Sequence, residues 1–169
     1  MMRKFLAATA TALALSAMFA APAAATGNRT VIEQNGALNA VGMNQRGHAN
    51  QAGALQTGRR NSSTTVQVGS HNYSLQQQLG NRNRALTDQW GRNNTAVIGQ
   101  DGRRLNGTIV QTGNNNTGGI AQIGTGHTAT LDQAGNNNTG AVIQVGRGQS
   151  TTLQQSGHGN STVVIQGGY

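Results

Sequence analysis

The side chains in this chain that could do chemistry are mostly amides. The acids of the chain are Glu33, Asp88, Asp101 and Asp132, far apart in sequence, and there is no cysteine. His48, His71, His127 and His158 are equally scattered. No carboxylate pair, nucleophile–histidine–acid set or metal-ligand spacing emerges. Calcium-binding β-rolls need Asp in every loop. Strings such as Gly124-Thr125-Gly126 lack the strand-to-helix setting of a phosphate loop. The reading is therefore no catalytic residue, no metal site, no cofactor, and not an enzyme. What recurs is glutamine. Gln-x-Gly triplets start at Gln34, Gln45, Gln56, Gln67, Gln78, Gln89, Gln100, Gln111, Gln122, Gln133, Gln144, Gln155 and Gln166, always eleven residues apart. A primary amide has two N–H donors and an acceptor oxygen. Stacked at fixed spacing, such amides can hydrogen-bond into a continuous row, as in cross-β assemblies.

A strict register of this kind is the mark of a repeat architecture. Relative to each Gln, Asn stands six places earlier in nine of the twelve internal units, and a small residue such as Ala52, Ser74, Ala96, Gly118 or Ala129 four earlier. A mostly aliphatic residue stands two earlier, as Ile32, Met43, Ile98, Ile109, Ile120, Leu131, Val142, Leu153 and Val164. These offsets are all even, and alternate side chains share one face of a strand. Each eleven-residue unit then reads as a strand and a turn. Thirteen such units predict an all-β β-solenoid with two strands per 22-residue coil, roughly 29 Å long at ~4.8 Å per coil, and a cross-β structure on polymerisation. The Gln row satisfies amides that would be costly to bury unpaired. The Asn row either stacks likewise or closes the turn, since Asn tolerates left-handed backbone. Gly is expected where the strand bends and a side chain would be crowded.

The unit is 22 rather than eleven residues because the exceptions fall on alternate turns. Asn is replaced only at Leu105, His127 and Gln149, after Gln100, Gln122 and Gln144. The opposite turns keep Asn50, Asn72, Asn94, Asn116, Asn138 and Asn160. The two edges of the coil therefore differ.

Residues 1–25 read as a secretory signal peptide. Met1-Met2-Arg3-Lys4 is basic, Phe5–Ala20 is apolar, and Ala21-Pro22-Ala23-Ala24-Ala25 offers a cleavage site. Residues 26–169 form one repeat domain with ten arginines against four acids, a formal +6. Tyr73, Trp90 and Tyr169 are its only aromatics. An ordinary packed core is not expected, and the register argues against low-complexity disorder.

The pattern resembles the curlin repeat, Ser-x5-Gln-x-Gly-x2-Asn-x-Ala-x3-Gln. Its second part stands in Gln45-Arg46-Gly47-His48-Ala49-Asn50-Gln51-Ala52 leading to Gln56. It stands again in Gln78-Leu79-Gly80-Asn81-Arg82-Asn83-Arg84-Ala85 leading to Gln89, and in Gln89-Trp90-Gly91-Arg92-Asn93-Asn94-Thr95-Ala96 leading to Gln100. The family's Ser is mostly Asn here. The resemblance implies a secreted subunit that polymerises into extracellular amyloid fibres on the bacterial cell surface, with roles in adhesion and biofilm. It also implies a second curlin-type subunit and an outer-membrane export channel as partners. Curlins with a dedicated channel carry a non-repeat segment before the first repeat, whereas here Thr26–Arg29 alone separate the cleavage site from the first predicted strand.

Independently of that resemblance, both ends of the solenoid read as uncapped strands, which are templates for another chain. End-to-end stacking into a homopolymer follows. Ala54, Thr65, Gln76 and Thr87 interrupt the aliphatic row, with arginines crowding nearby, and read as brakes on assembly. One outer face collects Ile123, Ile143, Val145, Val163 and Ile165 late in the chain, a candidate lateral contact. One edge collects Arg59, Arg60, Arg82, Arg103, Arg104 and Arg147, a basic ridge suited to polyanions such as polysaccharide or extracellular DNA. The alternative is a non-polymerising binding solenoid, either polyanion-binding or ice-binding. The ice-binding form rests on Thr64, Thr108, Thr130 and Thr152, a row broken by Leu86 and Gly42.

Overall fold

The computed structural model describes residues 27–168. The signal-peptide reading of residues 1–25, and Tyr169, lie outside the described residues. Thirteen strands run in chain order: β1 (Arg29–Ala37), β2 (Ala40–His48), β3 (Gln51–Arg59), β4 (Ser62–Ser70), β5 (Tyr73–Asn81), β6 (Arg84–Arg92), β7 (Thr95–Arg103), β8 (Asn106–Asn114), β9 (Thr117–Thr125), β10 (Thr128–Asn136), β11 (Thr139–Arg147), β12 (Ser150–His158) and β13 (Ser161–Gly168). Odd strands form one seven-stranded sheet and even strands one six-stranded sheet. All neighbours are parallel and each pairs with the residue 22 positions away, as Gln34 with Gln56 and Gln45 with Gln67. The protein is thus the expected all-β solenoid, two strands per 22-residue coil.

Nine-residue strands alternate with two-residue turns such as Leu38-Asn39. The first turn residue takes the left-handed conformation, with φ of 58° at Leu38, 57° at Arg60 and 56° at Arg104. Asn tolerates that strain at Asn93, Asn115 and Asn137, which occupy this first position, but the repeat Asn is not the residue that takes it. The repeat Asn is the second turn residue, and it does not take up positive φ. Its side chain is directed inward instead, because the coil there has backbone groups to satisfy.

Side chains of the two sheets meet in a narrow core. Ile98, Ile109, Ile120, Leu131 and Val142 are fully buried, together with Ala85, Ala96 and Ala129. Small residues face large ones across it. A Cβ on Gly118 or Gly140 would lie 2.9 or 2.8 Å from Leu131 methyl carbons, so their absence makes room for the leucine. In the earlier coils a polar set takes over. Gln76 Nε2 donates to Thr87 Oγ1 at 2.9 Å and to Thr64 O at 2.8 Å, and Ser63 Oγ donates to Gln76 Oε1. Thr65, Gln76 and Thr87 are all fully buried. The interruption read from sequence is thus a satisfied hydrogen-bond network rather than a gap.

Candidate functional site

The structure places the thirteen triplet glutamines in two rows, one per sheet. In every coil step Nε2 of the lower Gln donates to Oε1 of the next, at 2.7–3.0 Å. The second amide hydrogen crosses the core. Gln111 Nε2, for example, also donates to the Thr95 carbonyl at 2.9 Å, on the first residue of the preceding strand. The same bond recurs at Gln56, Gln78, Gln100 and Gln133. From Gln45 to Gln155 each amide therefore links successive coils and also ties the two sheets together. The rows are buried from Gln56 to Gln155, where such a bond is electrostatically strong and an unmade one is costly.

The triplet glycine is required by the same stacking. Gly113 has φ of 117°, and a Cβ there would sit 1.9 Å from the Gly135 carbonyl oxygen of the next coil.

The asparagines do two jobs. Oδ1 of each one that has a further coil beyond it accepts the backbone N–H of its counterpart there, as Asn116 N to Asn94 Oδ1 at 3.0 Å. Nδ2 donates to a triplet-glycine carbonyl, as Asn116 to Gly135 O at 2.8 Å. Asn50, Asn72, Asn94, Asn116, Asn138 and Asn160 form this column on one edge. On the other edge Leu105, His127 and Gln149 replace Asn. The fully buried His127 takes over the accepting job: Nδ1 accepts the Gln149 N–H at 3.2 Å, which leaves Nε2 to donate to Ile123 O at 3.1 Å in place of a triplet-glycine carbonyl. Its part in the column was not legible from the sequence, where His127 is only a replacement for Asn in a turn.

Five of the six ridge arginines meet in one cleft. Arg59, Arg60, Arg82, Arg103 and Arg104 line it with Asn81 and Thr125, around a volume of about 360 Å³. Arg60, Arg82 and Arg104 occupy the same turn position in three consecutive coils, so their backbones are spaced about 4.8 Å apart. No carboxylate lines the cleft. Arg147 does not line it. It lies beyond Thr125, with which it pairs in register.

Ile123, Ile143, Val145, Val163 and Ile165 lie together on the outer face of β9, β11 and β13. Ile143 stacks on Ile165, and Ile123 on Val145. Ile165 and Val163 are the most open, 71% and 59% exposed. Beside them is an apolar hollow that sequence reading did not find. Its floor is Gly99, Gly119 and Ala121, its walls include Leu79, Val97, Ile123 and Ile143, and its volume is about 360 Å³. A Cβ on Gly99 or Gly119 would meet nothing within 4 Å, so folding does not require glycine there. On the opposite face Thr64, Leu86, Thr108, Thr130 and Thr152 form one column that begins at Gly42. Burial raises the Tyr73 phenol above its ordinary value.

Among the described residues no cluster of three or more His, Asp or Glu could hold a metal, and no helix is long and apolar enough to cross a membrane. A parallel solenoid with buried amide rows is a structural architecture. The curlin associated repeat matches residues 77–102 and 102–135, so the chain carries curlin-type repeats over that span. A search of curated proteins finds no match to it.

Proposed function

We propose that the protein is a secreted structural subunit that assembles end to end into extracellular amyloid fibres of the curli type, serving adhesion and biofilm matrix. The observation that carries this reading is the polarity of the glutamine rows. From Gln34 to Gln144 every Nε2 donates toward the following coil and none toward the preceding glutamine. One end of the described solenoid therefore offers donor amides at Gln155 and Gln166, and the other offers acceptor oxygens at Gln34 and Gln45. Among the described residues β1, β2, β12 and β13 have a hydrogen-bonded neighbour on one side only. Unlike ends that complement each other give a heterologous contact and an open filament. On this reading the partners are further copies of the chain, a second curlin-type subunit and an outer-membrane export channel. The test is to incubate residues 26–169 and record fibre diffraction. Reflections near 4.8 and 10 Å are expected, and a protein that stays monomeric would sink the proposal.

The arginine cleft supports a second activity of the same fibre, binding of anionic polymers such as polysaccharide or extracellular DNA. Five cations without a lining acid favour it. Affinity for a polyanion should fall steeply with salt. The ice-binding alternative rests on a threonine column interrupted at Leu86, and absence of thermal hysteresis would dispose of it.

A further inference from the structure

The two ends of the solenoid cannot simply be stacked. Among the described residues the odd-strand sheet has seven strands and the even-strand sheet six, so both ends of the described solenoid finish on an odd strand. If a second copy were added by translation alone, its β1 would seat on β13. Its β2 would then stand two strand spacings above β12, about 9.6 Å away. The whole upper edge of β12 would be left with unpaired N–H and C=O groups.

One side chain says what belongs in that gap. Gln149 Oε1 is buried and has no hydrogen-bond partner, the one such side-chain atom among the described residues. In its column the equivalent acceptor takes the backbone N–H of the residue one coil on. Asn39 takes Asn61 N at 3.0 Å, Asn83 takes Leu105 N at 3.1 Å, and His127 takes Gln149 N at 3.2 Å. The Gln149 oxygen waits for the same donor. The reciprocal bond is also open. Thr128 N donates to Gln149 O at 2.8 Å, and Ser150 N is the next donor in that column.

We propose that successive subunits in the fibre are related by a half-turn about the fibre axis, so that β1 of one copy seats on β12 of the other and β2 seats on β13. This rests on the end-to-end reading above. Asn28 of the incoming copy then supplies its N–H to Gln149 Oε1 and its C=O to Ser150 N–H. Both glutamine rows continue, Gln155 onto Gln34 and Gln166 onto Gln45. Ile32 covers Leu153 and Met43 covers Val164, and both sheets run without a missing strand. Odd and even sheets exchange at each junction, so the fibre is a two-fold screw with a rise of roughly 31 Å per subunit. The apolar face and the arginine cleft therefore alternate sides along the fibre.

Cysteine pairs distinguish the two junctions, because the described residues contain no cysteine and neighbouring strands put same-face residues within disulfide reach. Glu33, Gln154 and Ile165 are exposed and occupy the same outward position of their strands. The half-turn brings Glu33 beside Gln154, whereas translation brings it beside Ile165. Fibres of E33C/Q154C, assembled reduced and then oxidised, should give a ladder of covalent oligomers, and fibres of E33C/I165C should not. A ladder from E33C/I165C, or from neither variant although both form fibres, overturns the half-turn while leaving end-to-end assembly standing. Failure of the parent protein to form fibres overturns both. As a second measure, Gln149→Leu should raise the critical concentration for assembly roughly three- to ten-fold, the loss of one hydrogen bond per junction. An unchanged critical concentration contradicts the proposed seat for Asn28.

Discussion

Replacing Gln111 with leucine probes the glutamine row where it is deepest. Gln111 is fully buried. Its Nε2 donates to Gln133 Oε1 at 2.8 Å and Thr95 O at 2.9 Å, and its Oε1 accepts from Gln89 Nε2 at 2.8 Å. Leucine fits the volume but leaves those three partners unpaired in a dry interior. Each orphan costs about 1–3 kcal/mol, or about 3–9 kcal/mol together. Burial of the leucine returns about 1.5–3 kcal/mol. The central net loss is about 4 kcal/mol. Gln34→Leu is the control. That residue is exposed and makes one bond, to Gln56 Oε1 at 2.8 Å, so water takes over and the fold loses under ~1 kcal/mol. The assay is guanidinium unfolding of freshly prepared monomer, followed by the strand signal in far-ultraviolet circular dichroism. Replacing Gln89, Gln111 and Gln133 together should cost less than three times the single change, because the inner orphans of the row vanish with their partners. Equal shifts for Gln111→Leu and Gln34→Leu, or a stabilised Gln111→Leu, would refute the claim that the row holds the interior.

Gly113→Ala should destabilise the fold by more than ~3 kcal/mol, since the added Cβ overlaps the Gly135 carbonyl at a strained φ. Gly99→Ala should be tolerated to within ~0.5 kcal/mol while filling the apolar hollow, and the same denaturation series compares them. His127→Asn should be nearly neutral, because Asn does the same work elsewhere on that edge, whereas His127→Ala should lose about 1–3 kcal/mol from its two broken bonds. Changing Arg60, Arg82 and Arg104 to Gln should weaken polyanion binding and flatten its salt dependence, while fibre formation, read by dye fluorescence, continues.

The eleven-residue register, the inward and outward faces and the sorting into two sheets were all legible, because they depend on one local fact: side chains alternate along a strand. Placing Arg59, Arg82 and Arg103 on one edge needed no more than parity and a count of 22. Which ridge residues share a cleft did need the stacked coils, and the answer left Arg147 outside.

The sequence by itself determined the period, the solenoid and the identity of the rows, since a repeated pattern of side-chain direction has few ways to close. Tertiary structure decided where the hydrogen bonds go. The left-handed residue is Leu38 or Arg60 rather than the neighbouring Asn, because the Asn amide is needed to serve the next coil. Gln111 reaches across to Thr95, and His127 takes an asparagine's place. Gln149 Oε1 is left waiting at one end. Each of these depends on a distance between atoms in different coils, and no pattern along a single chain contains that distance.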